Sequence, residues 1–107
     1  MKFSIVIPLF NEAENVLKLN SEIIEVLSGL KSTINEFEII YVDDSSTDNT
    51  LKILNEINNN ISTKIIKNNS NLAQSKSILN GIEVSSFNNI ILEPKNPSSW
   101  ISKIDSL

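Results

Sequence analysis

Apolar and polar positions fall in blocks along the chain, so that four short β-branched runs alternate with segments of helical period. Phe3-Ser4-Ile5-Val6-Ile7 predicts a strand that ends at Pro8, where a ladder donor is lost. Asn11 then predicts a helix cap, with Glu12 and Glu14 in the first turn near the positive end of the dipole. Val16, Leu19, Ile23, Val26 and Leu30 recur at three and four, which predicts one buried stripe ending around Gly29. After a polar connection over 31–36, Phe37-Glu38-Ile39-Ile40-Tyr41-Val42 is nearly continuous in apolar residues. That pattern predicts a central strand covered on both faces.

Asp43 to Asp48 is a polar loop in which Ser46 or Thr47 is expected to cap a second helix carrying Leu51, Ile53, Leu54 and Ile57. Thr63 to Lys67 predicts a third strand, Asn68 to Asn71 a turn, and Leu72 to Val84 a third helix. Asn89 to Leu92 predicts a fourth strand, and Pro97 opens a final helix containing Trp100, Ile101 and Ile104. Strand and helix alternate at about 25 to 30 residues per unit, which predicts an α/β fold with a mostly parallel sheet and helices on both faces. Right-handed crossovers and a switch beside the first strand give the expected strand order 3-2-1-4, with Ile5, Ile7, Ile40 and Val42 among the most buried residues. Ligands of such sheets bind outside the carboxyl ends of the strands, here Pro8 to Glu12, Asp43 to Asp48, Lys67 to Asn71 and Glu93 to Asn96.

The length of 107 residues suits one domain over 1–107. With neither cysteine nor histidine, chemistry is left to carboxylates, lysine, amides and hydroxyls, and zinc-ribbon and thiol-nucleophile readings fall away. The nine basic residues are all lysine against thirteen Asp and Glu, a net charge of -4, which argues against nucleic acid as a partner. The apolar start is broken by Pro8 and lacks a small-residue cleavage site, and no run is long enough to cross a bilayer. A soluble, cytoplasmic chain without a transmembrane segment is therefore expected. The Asn runs reflect composition and carry no functional weight.

Two segments carry the chemistry. Ile5-Val6-Ile7-Pro8-Leu9-Phe10-Asn11-Glu12 and Glu38-Ile39-Ile40-Tyr41-Val42-Asp43-Asp44-Ser45-Ser46-Thr47-Asp48-Asn49-Thr50, in that order and at helix spacing, resemble the opening of family 2 glycosyltransferases. That family begins with a strand ending in Pro-x-(Tyr/Phe)-Asn-Glu and continues to a strand ending in Val-Asp-Asp-x-Ser-x-Asp-x-Thr. Asn71-Leu72-Ala73-Gln74-Ser75-Lys76-Ser77, with Gly81, resembles its Asn-x-Gly-x-x-x-Ala stretch, although Ala73 stands where Gly is usual. The resemblance implies the nucleotide-sugar-binding half of a GT-A type domain, Rossmann-like and three-layered. It implies a nucleotide-diphospho-sugar site lined by Pro8, Phe10, Glu12, Asp43, Asp44, Lys76 and Lys95. Phe10 would lie near the base, Glu12 near the ribose or base edge, and Asp44 would accept a hydrogen bond from the base. Taken singly, Phe10 reads as a core aromatic, Glu12 as a dipole partner and Asp43-Asp44 as an Asx turn. The combination carries the reading.

The family's Asp-x-Asp metal motif has a degraded counterpart. Alignment back from Asn96-Pro97 sets Ile91-Leu92-Glu93 against it, and alignment forward from Asn89 sets Glu93-Pro94-Lys95 against it; each leaves one carboxylate. Glu93 is thus the sole metal candidate, weak or absent dependence on Mg²⁺ or Mn²⁺ is expected, and Lys95 is a candidate fixed charge for a leaving diphosphate. The acceptor half that supplies the catalytic base in the family lies beyond this motif, so no residue is assigned as base, and a second polypeptide supplying that half is a candidate partner. Two readings stay open: a truncated glycosyltransferase, and a non-catalytic nucleotide-sugar-binding module or remnant of a longer enzyme. A phospho-acceptor receiver domain would need an acidic pair after the first strand and an Asp after the third, where Pro8 and Lys67-Asn68 stand.

Overall fold

The first strand runs past the proline expected to end it. In a computed structural model, which describes residues 2–30, 36–68, 81–82, 85, 87 and 89–91, β1 spans Lys2–Leu9, with Pro8 in register beside Val42. α1 (Val16–Leu30) follows and leads to β2 (Glu36–Asp43), then α2 (Thr50–Glu56) and β3 (Ser62–Lys67). β2 pairs in parallel with β1 on one side and with β3 on the other. The short β4 (Asn89–Ile91) pairs in parallel with Phe3 to Ile5. The parallel α/β arrangement is the one read from the sequence.

The two-residue period of the strands sorts their side chains to two faces. Phe3, Ile5, Ile7, Leu9, Phe37, Ile39 and Tyr41 pack with Val16, Ile23 and Leu27 of α1 and Leu54 of α2. Val6, Ile40 and Val42 face the other way, against Ile66 and Ile82. Ile5, Ile7, Ile40 and Val42 are fully buried, as expected for strands covered on both sides. The second face also carries a charge: the Ser4 hydroxyl donates to Glu38 Oε2 at 2.6 Å, and Lys64 Nζ lies 2.9 Å from Glu38 Oε1. Residues 81 and 82 are helical and lie close over this face. A Cβ on Gly81 would stand 2.3 Å from Val6 Cγ1 and 3.1 Å from Val42 Cγ2, so the approach requires glycine.

Both described helices depart from their sequence reading. α1 begins at Val16, so Glu12 and Glu14 precede its first turn, while its described end at Leu30 falls where the stripe was expected to stop, around Gly29. Its buried line is Val16, Asn20, Ile23 and Leu27, with Leu19 and Ile24 only partly covered. The line passes through a polar residue because Asn20 is bonded: the Tyr41 hydroxyl donates to its Oδ1 at 2.7 Å, and its Nδ2 donates to Asn59 Oδ1 at 2.9 Å. α2 starts at Thr50 behind Asn49, which makes no side-chain cap, so neither Ser46 nor Thr47 caps it. Apart from residues 81 and 82, the expected third helix over Leu72 to Val84 lies outside the described residues, as does the final helix at Trp100. Among the described residues no helix is long and apolar enough to cross a membrane.

Candidate functional site

The carboxyl ends of β1, β2 and β3 are tied at one level by backbone bonds that continue the ladder. Asp44 N–H donates to the Leu9 carbonyl at 2.8 Å, and Asn68 N–H donates to the Asp43 carbonyl at 2.9 Å. Beyond them the loop after β1 and the loop after β2 are joined through side chains. Asn11 adopts a left-handed φ of 51°, a conformation its short amide tolerates better than most residues do. Its Oδ1 accepts from Thr47 N–H at 2.8 Å, with longer contacts from the Thr47 hydroxyl and Asp48 N–H.

The reverse set of bonds runs from backbone to side chain. Asn11 N–H donates to Ser46 Oγ at 2.9 Å, Glu12 N–H to Thr50 Oγ1 at 2.9 Å, and Ala13 N–H to Asp48 Oδ2 at 3.2 Å. Asp48 Oδ1 in turn accepts from Thr50 N–H at 2.9 Å and from the Thr50 hydroxyl. The Thr50 hydroxyl chiefly, then the backbone N–H groups of Thr50 and Ala13, hold the Asp48 carboxyl below its ordinary value against a contribution from desolvation. Asn11, Ser46, Asp48 and Thr50 are therefore a clamp between the two motifs. Asn11 was expected as a helix cap and serves instead as a bridge, because its partners lie across the sheet edge rather than in the following turn.

The clamp fixes the candidate residues that it does not consume. Phe10 stands on the β1 loop with 44% of its surface exposed, which excludes the core role that a lone aromatic would suggest. Asp44 is buried and accepts from Asn68 Nδ2 at 3.1 Å. Asp43 is 1% exposed; its Oδ1 accepts from the Ser46 hydroxyl, and its Oδ2 has no hydrogen-bond partner among the described residues. Pro8 and Glu12 line a groove of about 360 Å³ with Leu9 and with Asn15, Lys18, Leu19 and Glu22 of α1. Glu12 Oε2 accepts there from Asn15 Nδ2 at 3.2 Å. Phe10, Asp43 and Asp44 do not line that groove, so the structure divides the expected set between the loop clamp and the flank of α1.

Lys76, Glu93 and Lys95 lie outside the described residues. Among the described residues no group of three His, Cys, Asp or Glu is placed to hold a metal ion. Asn68 escaped the sequence reading as a site residue. Its only signal was position, at the end of β3 and on the same sheet edge as the two motifs.

A family model for glycosyl transferase family 2 matches residues 4–92, a span that contains both motifs joined at the carboxyl edge of the sheet. The chain belongs to that family. Among its relatives is a dolichol-phosphate mannosyltransferase of Pyrococcus furiosus, 34% identical over 86 residues that make up 80% of this chain and 23% of the relative. An uncharacterized glycosyltransferase of Synechocystis is 36% identical over 85% of this chain and 28% of its own length. This family 2 chain thus spans about a quarter of the length of the curated relatives it matches. The crystal structure of Staphylococcus aureus TarS 1-349 shares the fold at a TM-score of 0.65 and 24% identity, covering 98% of this chain and 32% of that one. The same TarS segment is known in complex with UDP-GlcNAc, again at a TM-score of 0.65, with 98% of this chain and 30% of that one covered.

Proposed function

We propose that the carboxyl edge of β1 and β2 binds the nucleotide of a nucleotide-diphospho-sugar donor, and that the chain is the donor half of a GT-A type domain with strand order 3-2-1-4. The observation that carries the reading is the clamp. It spends Asn11, Ser46, Asp48 and Thr50 on joining the two loops, and so presents Phe10 and the Asp44 carboxylate from a rigid edge. A carboxylate accepts from the imide N–H of a uracil or guanine base, and an exposed aromatic packs on a base face. Uridine is the favoured base, because a neighbour of the same fold binds UDP-GlcNAc. Pro8 and Glu12 then serve the ribose side, Asp43 supports the loop through Ser46, and Lys76 and Lys95 are candidates for the diphosphate.

Sugar transfer is assigned to an assembled enzyme in which a further polypeptide segment supplies the acceptor half and the base, since the matched relatives are about four times as long as the matched region. Donor binding is assigned to this chain. We further propose weak dependence on Mg²⁺ or Mn²⁺, with Glu93 as the only carboxylate at the position of the family's metal motif. The test is calorimetry with UDP. Asp44→Ala should weaken binding by about 1.5 to 3 kcal/mol through loss of a charge-assisted bond. Equal affinity for variant and parent would remove Asp44 from the site.

A further inference from the structure

Asp44 does not stand alone at this edge, and its neighbour belongs to neither sequence motif. The Asn68 backbone is seated by the bond from its N–H to the Asp43 carbonyl, and the Asp44 backbone by the bond from its N–H to the Leu9 carbonyl. With both main chains pinned, the 3.1 Å bond from Asn68 Nδ2 to Asp44 Oδ1 is dictated by the sheet rather than by a mobile side chain. Both residues are more than nine-tenths buried, at 6% and 7% exposure, and in such surroundings a donor to a carboxylate is both strong and directional. The following residue, Ser45, holds a left-handed φ of 62°, a conformation unfavourable for a non-glycine residue. The turn at Asp44 is therefore held in one unusual shape by its surroundings.

We propose that Asn68 is a positioning residue for nucleobase recognition: its amide fixes the rotamer of the Asp44 carboxylate so that this acceptor meets the N3–H of a uracil. The proposal rests on the donor-binding reading above and extends it to a third strand end. Asn68 acts through Asp44, so its contribution exists only where the base offers that N–H.

The experiment titrates UDP and N3-methyl-UDP, which lacks the N–H, into the parent chain and the Asn68→Ala, Asp44→Ala and double variants. UDP binding by the parent tests the donor-site reading by itself; without it that reading falls and the role assigned to Asn68 falls with it. Given binding, Asn68→Ala should weaken UDP about tenfold, leave N3-methyl-UDP unchanged, and add nothing to the loss already caused by Asp44→Ala. Losses that multiply in the double variant, or equal losses for both ligands, would overturn the proposal. The swapped variant Asp44→Asn with Asn68→Asp guards against misfolding, because it keeps an amide-to-carboxylate bond across the same gap. It should fold as the parent does and lose UDP affinity at least tenfold; parental affinity in the swapped chain would contradict the assigned role.

Discussion

Beneath α1, the Tyr41 hydroxyl, the Asn20 and Asn59 amides and the Thr63 hydroxyl bond one another, ending on the Ile61 carbonyl. On the opposite face Ser4 and Lys64 close on Glu38. At the carboxyl edge of the same sheet the residue types are similar, yet the network does not close among the described residues: Asp43 Oδ2 is buried with no hydrogen-bond partner there, and Phe10, one residue past its neighbour Leu9 on β1, is 44% exposed. A buried polar atom without a partner costs about 1 to 3 kcal/mol, so the interior networks are what folding alone selects. On the proposed reading, the edge built on the clamp, with Phe10 exposed beside it, serves a ligand as well as the fold.

Substitutions should therefore separate stability from binding. The largest effect on stability is expected from Lys64→Met, which keeps the apolar stem but removes the charge 2.9 Å from the buried Glu38. About 3 kcal/mol should be lost in urea unfolding, below the upper range for a buried pair because Lys64 is itself partly exposed. UDP affinity should not change; a loss of affinity equal to that of Asp44→Ala would erase the distinction between the two regions.

A smaller loss, about 1 kcal/mol, is expected for Tyr41→Phe, again without effect on UDP. Burial raises the Tyr41 pKa well above its ordinary value, so the neutral phenol stabilises the fold fully below pH of about 10, and that contribution falls as pH rises beyond it. The parent should therefore lose stability faster than Tyr41→Phe above that pH in thermal melts. The smallest effect is that of Asp48→Asn at the exposed clamp. The Asp48 pKa is depressed, so its contribution is present above the ordinary carboxylate range and disappears as pH falls through the folded-state value. Parent and variant stabilities should converge in acid and differ slightly at neutral pH.

The strands were legible because burial on both faces leaves β-branched runs that no other element produces at that length; Ile5, Ile7, Ile40 and Val42 illustrate it. The start of α1 was not legible, because Asn11 has the side chain of a helix cap whether its acceptor serves the next turn or a loop 36 residues away. Asn20 was hidden by an apolar-only reading of the helix stripe, and Asn59 by a run of asparagines that looked like composition. The candidate residues Phe10, Glu12, Asp43 and Asp44 were legible from their motifs, whereas the bond from Asn68 to Asp44 is a contact across the sheet edge that no motif announces. Long-range pairing of polar side chains leaves no periodic trace in a sequence.

The central claim is that the donor nucleotide sits on the clamp between the β1 and β2 loops. An amide-resolved NMR titration with UDP tests it most directly. Shifts should concentrate on residues 10–13, 43–50 and 68, where the bonded loops and the end of β3 meet. Shifts confined instead to residues 15–22 of α1, along the groove beside Pro8 and Glu12, would contradict the account.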